Sequence, residues 1–243
     1  GASYQGKPVG SIGDVAFFST DHSKITSTFL GGMVTTNNKI ISGKIERIQQ
    51  KTPFLPHRLQ KKLLLGFLLE YPLYSANTYW VGKFLLAVLK KLKLVFYWND
   101  ELLHSKPELY PYPARLSSSQ ALIGISQLES LNDNIIHRRA IYGAIDNILN
   151  NNRIDSSESA CLRYSFYVKD RKKFESLFQG RWDLAIWFTS IAHGKNHNLD
   201  EIFYKEGSCP NAEYAAKHLV NFPTHQRTST QFVITEINKH RSW

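Results

Sequence analysis

The sequence predicts an α/β fold that passes into a small α+β domain. Three observations carry this expectation. Near the start, two short apolar runs at residues 15–19 and 31–36 read as strands and bracket a polar loop. A long middle region then keeps apolar residues three to four apart, the spacing of one helix face. From about residue 150, short alternating runs and short helical runs are mixed. The chain divides on this reading into residues 1–133 and residues 134–243.

Taken in order, residues 6–11 (GKPVGS) are rich in turn formers. The apolar run at 15–19 ends in the hydroxyl of Ser19, and the polar stretch 21–28 holds Lys24. Gly31 and Gly32 open the second strand, and Asn37 and Asn38 make a turn. A helix is expected over 40–50 and a break over 52–56, where Pro53 and Pro56 lie. Two more helices follow at 58–69 and 78–94. Residues 106–113 hold three prolines and two tyrosines and suit no regular element.

From Ser117 the pattern turns strongly helical, with Leu122, Ile125, Leu128, Leu131, Ile135 and Ile136 on one face. It predicts one long helix running to Leu149 and bridging the two domains. Residues 150–152 are asparagines and end it. A strand is expected at 162–168, a helix at 170–178, a strand at 186–189, and helices at 212–220 and 230–239, with Pro223 between the last two.

The 243 residues are 42% hydrophobic and 21% charged, an ordinary balance for a chain with a sizeable core. The net charge of +10 suits an anionic partner, whether nucleic acid, a membrane surface or a phosphorylated small molecule. It equally suits a soluble protein with a basic surface. No zinc-finger, RNP-like or arginine-rich signature points to nucleic acid. Cys161 and Cys209 lie far apart and make no disulfide or metal framework, so no metal is expected. No signal-peptide pattern opens the sequence, and a cytoplasmic location is expected.

Glu70, Pro72, Asn77 and Lys83 interrupt the apolar region, so no membrane span of ~18 residues is expected. Within it, Val81, Phe84, Leu85, Val88, Leu89 and Leu92 form a helical stripe, with Lys83, Lys90, Lys91 and Lys93 mainly off it. The stripe reads as core-facing with a solvated basic edge; a helix lying on an anionic membrane is the alternative.

A lysine in a polar loop between two strands is a weak signal by itself. The surrounding pattern strengthens it: Val9-Gly-Ser-Ile-Gly-Asp14, Phe18-Ser19, Lys24 and Gly31-Gly-Met-Val-Thr-Thr-Asn37 occur in that order at tight spacing. Downstream come Arg115-Leu-Ser-Ser-Ser-Gln-Ala-Leu-Ile-Gly-Ile-Ser-Gln-Leu-Glu129, then Arg138 and Arg139, then Asn221-Phe-Pro-Thr-His225. In these motifs the sequence resembles the DegT/DnrJ/EryC1/StrS family of sugar aminotransferases, which depend on pyridoxal 5'-phosphate (PLP). The resemblance spans nearly the whole chain and is weak from about residue 51 to residue 110.

The resemblance implies a fold of the aspartate aminotransferase-like kind (fold type I), with residues 1–133 as the remaining part of the PLP-binding large domain. It implies transfer of an amino group from glutamate to a nucleotide-linked keto sugar, with ketocyclitols also open, in a homodimer. Lys24 is the expected catalytic and cofactor-bearing residue. A lysine amine can bond the PLP aldehyde, give way to the amino donor, and then carry a proton in its neutral form.

Ser19 is expected at the cofactor phosphate; its other reading is an ordinary strand-terminal hydroxyl. Arg115 falls on a family segment that approaches the partner subunit's cofactor, though Ala114 stands where that segment has asparagine. An exposed structural arginine is its other reading. His193 falls near a family segment bordering the substrate; a surface histidine is the alternative.

The sequence opens at Gly1 inside a motif and has no initiator methionine. The family's acidic partner of the pyridine nitrogen, its phosphate loop and its ring-stacking aromatic lie upstream of the matched motifs. The chain is therefore read as N-terminally incomplete and inactive alone. A naturally shortened, non-catalytic binding or regulatory relative is the alternative.

Overall fold

The computed structural model describes residues 1–73, 78–96, 113–150, 156–178, 184, 190–192 and 199–240. The chain begins with a small hairpin, β1 (Ser3–Tyr4) and β2 (Lys7–Pro8), whose turn uses Gln5 and Gly6 at positive φ. It docks on the second half of the chain: the Ser3 amide donates to the Glu158 carbonyl and the Gly6 amide to the Glu158 carboxylate, both at 2.8 Å.

The two predicted strands are present as β3 (Ala16–Ser19) and β4 (Gly32–Thr35), paired antiparallel with Ser19 opposite Gly32. The turn-rich segment before them folds against β3. Gly10 has φ +99°, and a Cβ there would lie 2.3 Å from the Phe18 ring, so no other residue fits without displacing it.

Helix α1 (Lys39–Lys51) starts where the asparagine pair predicted a turn. Asn38 is its N-cap and accepts from the amides of Ile40 and Ile41. Helices α2 (His57–Leu73) and α3 (Tyr79–Lys91) form an antiparallel pair that closes tightly at its end. A Cβ on Gly82 would fall 2.0 Å from the Leu73 carbonyl oxygen. On α2, Leu59, Leu63 and Phe67 recur every four residues and pack with Phe29, Leu30, Leu55 and Phe96 into the first core.

The expected single helix from residue 117 to 149 is two helices, α4 (Ser118–Glu129) and α5 (Leu131–Leu149). The break falls at Ser130, whose hydroxyl bonds back to the carbonyls of Ser126 and Gln127 at 3.3 Å each. Ser117 and Gln120 close a capping box at the start of α4.

The second core is built on β5 (Arg163–Tyr167), α6 (Arg171–Phe178), β6 (Leu219–Pro223) and α8 (Thr230–Lys239), with α7 (Pro210–His218) running into β6. β5 and β6 pair antiparallel, Phe166 opposite Val220. Residues 219 and 220 were expected in a helix; they lie in β6 because the ladder with β5 takes their backbone groups. Phe166, Phe174, Phe178 and Phe222 interlock with centroids 4.9–5.5 Å apart. Ile141, Tyr142 and Ile145 of α5 complete this core. The strand expected at 186–189 lies outside the described residues.

The apolar stripe of α3 departs from expectation. Gly82 and Leu86 are buried, whereas Val81, Phe84, Leu85, Val88 and Leu92 are exposed. The helix turns its larger apolar face outward because its small residue, Gly82, is what allows close approach to α2.

Candidate functional site

The site is built on the loop between β3 and β4. That loop continues the hairpin for a few residues: the Thr20 amide donates to the Gly31 carbonyl and the Thr28 amide to the Thr20 carbonyl, both at 2.9 Å. The two threonine hydroxyls meet at 2.7 Å in a buried position. Asp21 then starts a tight turn. Its carbonyl accepts from the Lys24 amide at 3.0 Å, and its carboxylate accepts from the His22 amide and the Ser23 hydroxyl. Lys24 sits on this turn with its side chain exposed, and its amine makes no hydrogen bond or ion pair among the described residues.

The loop is clamped from below by amide side chains. Gln120 donates from Nε2 to the carbonyls of Thr28 (3.1 Å) and Leu30 (2.7 Å). Gln127 donates to the Ser27 carbonyl at 2.5 Å and accepts from the Ser27 amide at 2.9 Å. Asn134 reaches the Ile25 carbonyl at 3.5 Å. These three residues recur every seven positions. Gly124, between the two glutamines, lets the loop come close: a Cβ there would sit 3.1 Å from the Thr28 methyl. Gly31, at φ +155°, is boxed in by Leu116, Thr28 and Thr20, so the strand entry admits only glycine.

The turn also carries an ion pair. His22 Nδ1 lies 2.7 Å from Asp21 Oδ1. The hydrogen bond to Asp21 raises the imidazole pKa above its usual value, against the effect of burial. Burial works against the Asp21 charge, but the bonds from His22 and Ser23 outweigh it and hold that carboxyl below its usual range. Glu70 of α2 also influences His22; burial raises its pKa, with Lys90 at 3.7 Å opposing.

Ser19 ends β3 with its side chain exposed, and its hydroxyl takes only a long 3.4 Å bond from the Asp21 amide. Ser19 and Lys24 are thus brought to the same end of the β3–β4 hairpin. Arg115 lies elsewhere, beside the chain at Phe54. Its amide donates to the Pro53 carbonyl at 2.8 Å and its guanidinium covers the Phe54 ring at 3.9 Å. Its Nε is buried and has no hydrogen-bond partner among the described residues. His193 lies outside the described residues.

Sequence reading missed the clamp and the Asp21–His22 pair. The clamp had a signal in the seven-residue recurrence of Gln120, Gln127 and Asn134 around Gly124. The pair had none, since adjacent charged residues in a loop are ordinary.

Among the described residues no group of His, Cys, Asp and Glu could hold a metal ion. The donors brought together at the hairpin end are an unpaired primary amine and an exposed hydroxyl. They suit an aldehyde-bearing phosphate ester such as PLP, through covalent attachment and hydrogen bonding respectively.

Among curated proteins, the chain is 24% identical to UDP-4-amino-4,6-dideoxy-N-acetyl-beta-L-altrosamine transaminase of Campylobacter jejuni, over 86% of this chain and 50% of that protein. It is 45% identical to GDP-perosamine synthase of Caulobacter vibrioides, over 28% of this chain and 18% of that one.

Among solved structures, sugar aminotransferase CalS13 from Micromonospora echinospora matches with a TM-score of 0.58 at 18% identity, covering 100% of this chain and 56% of that one. GDP-4-keto-6-deoxy-D-mannose-3-dehydratase of E. coli, with bound hydrated PLP, matches with a TM-score of 0.59 at 18% identity, covering 97% and 57%.

The chain therefore has the α/β fold of the aspartate aminotransferase-like PLP-dependent transferases (fold type I). It spans about half the length of these broadly matched relatives. The family's sequence profile matches residues 1–62 and 93–238, so the chain belongs to the DegT/DnrJ/EryC1/StrS aminotransferase family.

Proposed function

We propose that the protein is a PLP-dependent aminotransferase that moves an amino group, from glutamate, onto a nucleotide-linked keto sugar, and that Lys24 is its cofactor-bearing residue. The observation that carries the reading is the exposed, unpaired Lys24 amine on a turn whose flanks are pinned by Gln120 and Gln127. A fixed backbone with a free side chain lets one amine serve first as an attachment point and then as a proton carrier. The named activities of the Campylobacter and Caulobacter relatives support the substrate class, and the basic balance of the chain suits a nucleoside diphosphate.

PLP, when bound, supplies an electron sink for the pair freed at the amino-bearing carbon. The protein's own residues do the rest. Lys24 would hold the cofactor through Nζ and, once released, would carry a proton as a neutral amine. Ser19 donates its hydroxyl to the phosphate from the end of β3. Arg115, whose guanidinium lies over the Phe54 ring, would serve the phosphate in a neighbouring subunit of a homodimer. His193 borders the substrate. Residues 1–133 serve on this reading as part of the cofactor-binding large domain and residues 134–243 as the small domain.

The test is covalent capture. The protein is incubated with PLP, reduced with borohydride and mapped by mass spectrometry. A phosphopyridoxyl label on Lys24, absent from Lys24→Ala, is expected. A label that persists in Lys24→Ala at another lysine with the same yield refutes the assignment.

A further inference from the structure

Three features of the α2–α3 hairpin bear on one another. The family's sequence profile passes over residues 63–92, which hold most of α2 and all of α3. The hairpin's outer surface is apolar: Trp80, Val81, Phe84, Leu85, Val88 and Leu92 all face solvent, Phe84 at 72% and Val81 at 71% exposure. At 100° per residue these six, the last being the C-cap of α3, fall within one arc of about 140°, which Lys91 enters at its C-terminal end. Leu64, Leu65 and Leu68 make a second exposed stripe on α2. Scattered apolar side chains on a surface are normal, whereas a continuous face of this kind marks a docking surface.

The charge of the hairpin says what docks there. Residues 57–96 carry Arg58, Lys61, Lys62, Lys83, Lys90, Lys91 and Lys93 against a single acid, Glu70. Glu70 is occupied by Lys90 at 3.7 Å. Lys61, Lys83, Lys91 and Lys93 are exposed. The Lys83 ammonium lies 5.3 Å from the Trp80 ring centroid and 5.8 Å from that of Tyr79, on the edge of the apolar arc. Apolar face, flanking lysines and an aromatic residue at the boundary are what the surface of an anionic bilayer selects. The apolar side chains enter the acyl region, Trp80 sits at headgroup depth, and the lysines reach up to lipid phosphates. Among the described residues no helix is long and apolar enough to cross a membrane, so the mode is lying on the surface.

We propose that the α2–α3 hairpin is a peripheral docking element for an anionic lipid bilayer, holding the enzyme at a membrane surface. The hairpin is tied to the body through Leu59, Leu63 and Phe67 and through the Arg227 guanidinium, which donates to the Glu70 carbonyl at 3.4 Å.

The test is co-sedimentation of the full chain with vesicles of equimolar phosphatidylcholine and phosphatidylglycerol, and with phosphatidylcholine alone. Wild type is expected to bind the anionic vesicles at least about tenfold more tightly, with the preference lost in high salt. Phe84→Glu/Val88→Glu, at two exposed positions, is expected to lose binding to both. Lys83→Glu/Lys91→Glu/Lys93→Glu is expected to lose the anionic preference. Circular dichroism confirms that each variant is folded, and the lysine variant keeps the test open if the first one is not.

Wild type that stays in the supernatant with anionic vesicles overturns the proposal, as does a folded Phe84→Glu/Val88→Glu variant that binds like wild type. Sedimentation velocity covers the other occupant. Self-association abolished by Phe84→Glu/Val88→Glu, with no vesicle binding by wild type, assigns the face to a second copy and also overturns the proposal. The capture of PLP at Lys24 is read separately, so failure of docking leaves the catalytic reading untouched.

Discussion

Replacing Gln120 by leucine tests whether the helix α4 clamp holds the Lys24 loop. Gln120 is 4% exposed, and its amide is the donor to two backbone carbonyls, Thr28 at 3.1 Å and Leu30 at 2.7 Å. Its Oε1 also accepts from the Ser117 amide at 3.1 Å. Leucine fills the space but leaves the carbonyls without that donor. A buried polar group stripped of its partner costs roughly 1–3 kcal/mol. Among the described residues Leu30 retains a long 3.4 Å bond from the Thr28 hydroxyl, which sets the sum for both carbonyls in the lower half of about 2–6 kcal/mol. Leucine's own burial returns about 1 kcal/mol, so the net loss is about 2 kcal/mol. Gln127→Leu removes a comparable pair of bonds, but at a part-buried site where water replaces them, and costs about 1 kcal/mol. Urea unfolding of both variants measures the difference, and hydrogen exchange at the amides of Thr28 and Phe29 locates it. A loss below about 0.5 kcal/mol for Gln120→Leu, or a larger loss for Gln127→Leu, refutes the clamp as the element that fixes the loop.

The Asp21–His22 pair predicts a pH window. His22 has a raised pKa, so its contribution is full below its unfolded value of about 6.5 and is lost as pH rises through the folded value. Asp21 has a lowered pKa, so its contribution is present above about 3.9 and lost as pH falls through the folded value. NMR titration should place His22 above its usual value and Asp21→Asn should bring it down; a wild-type value at or below about 6.5 refutes the pairing. In the second core, Phe222 is fully buried against Phe166, Phe174 and Phe178. Phe222→Ala is expected to cost about 3–5 kcal/mol in denaturant unfolding, and a loss under about 1.5 kcal/mol would show that this cluster is not central.

Much of the architecture was legible where local chemistry decides it. The strands flanking Lys24, helix α1, α6 and α8 all follow from apolar period, while the asparagine pair read as a turn proved to hold the cap of α1. Three departures share a cause. The break at Ser130 interrupts Glu129, Ser130 and Leu131, each compatible with a helix, and only the serine's bonds to Ser126 and Gln127 mark it. β6 looks like the end of a helix until Arg163–Tyr167, more than fifty residues away in sequence, is laid beside it. The clamp residues were in plain view in the motif, but glutamine on a helix is ordinarily solvated, and what makes Gln120 structural is a loop ninety residues earlier.

The outward face of α3 is the same lesson carried one step further. Periodicity located the stripe of Val81, Phe84, Leu85, Val88 and Leu92 correctly, because it depends only on 100° per residue. Assigning that stripe to the core required a further premise, that an apolar face is covered by its own chain. Here Gly82 decides otherwise: the helix approaches α2 through its smallest residue, and the bulky side is left facing out. The lysines around that side would be wasted on a packed core, where each would have to keep its ammonium in water. Around an anionic surface they are placed to act. Pattern alone finds the face, and the charge at its border is what the proposal of an anionic partner rests on.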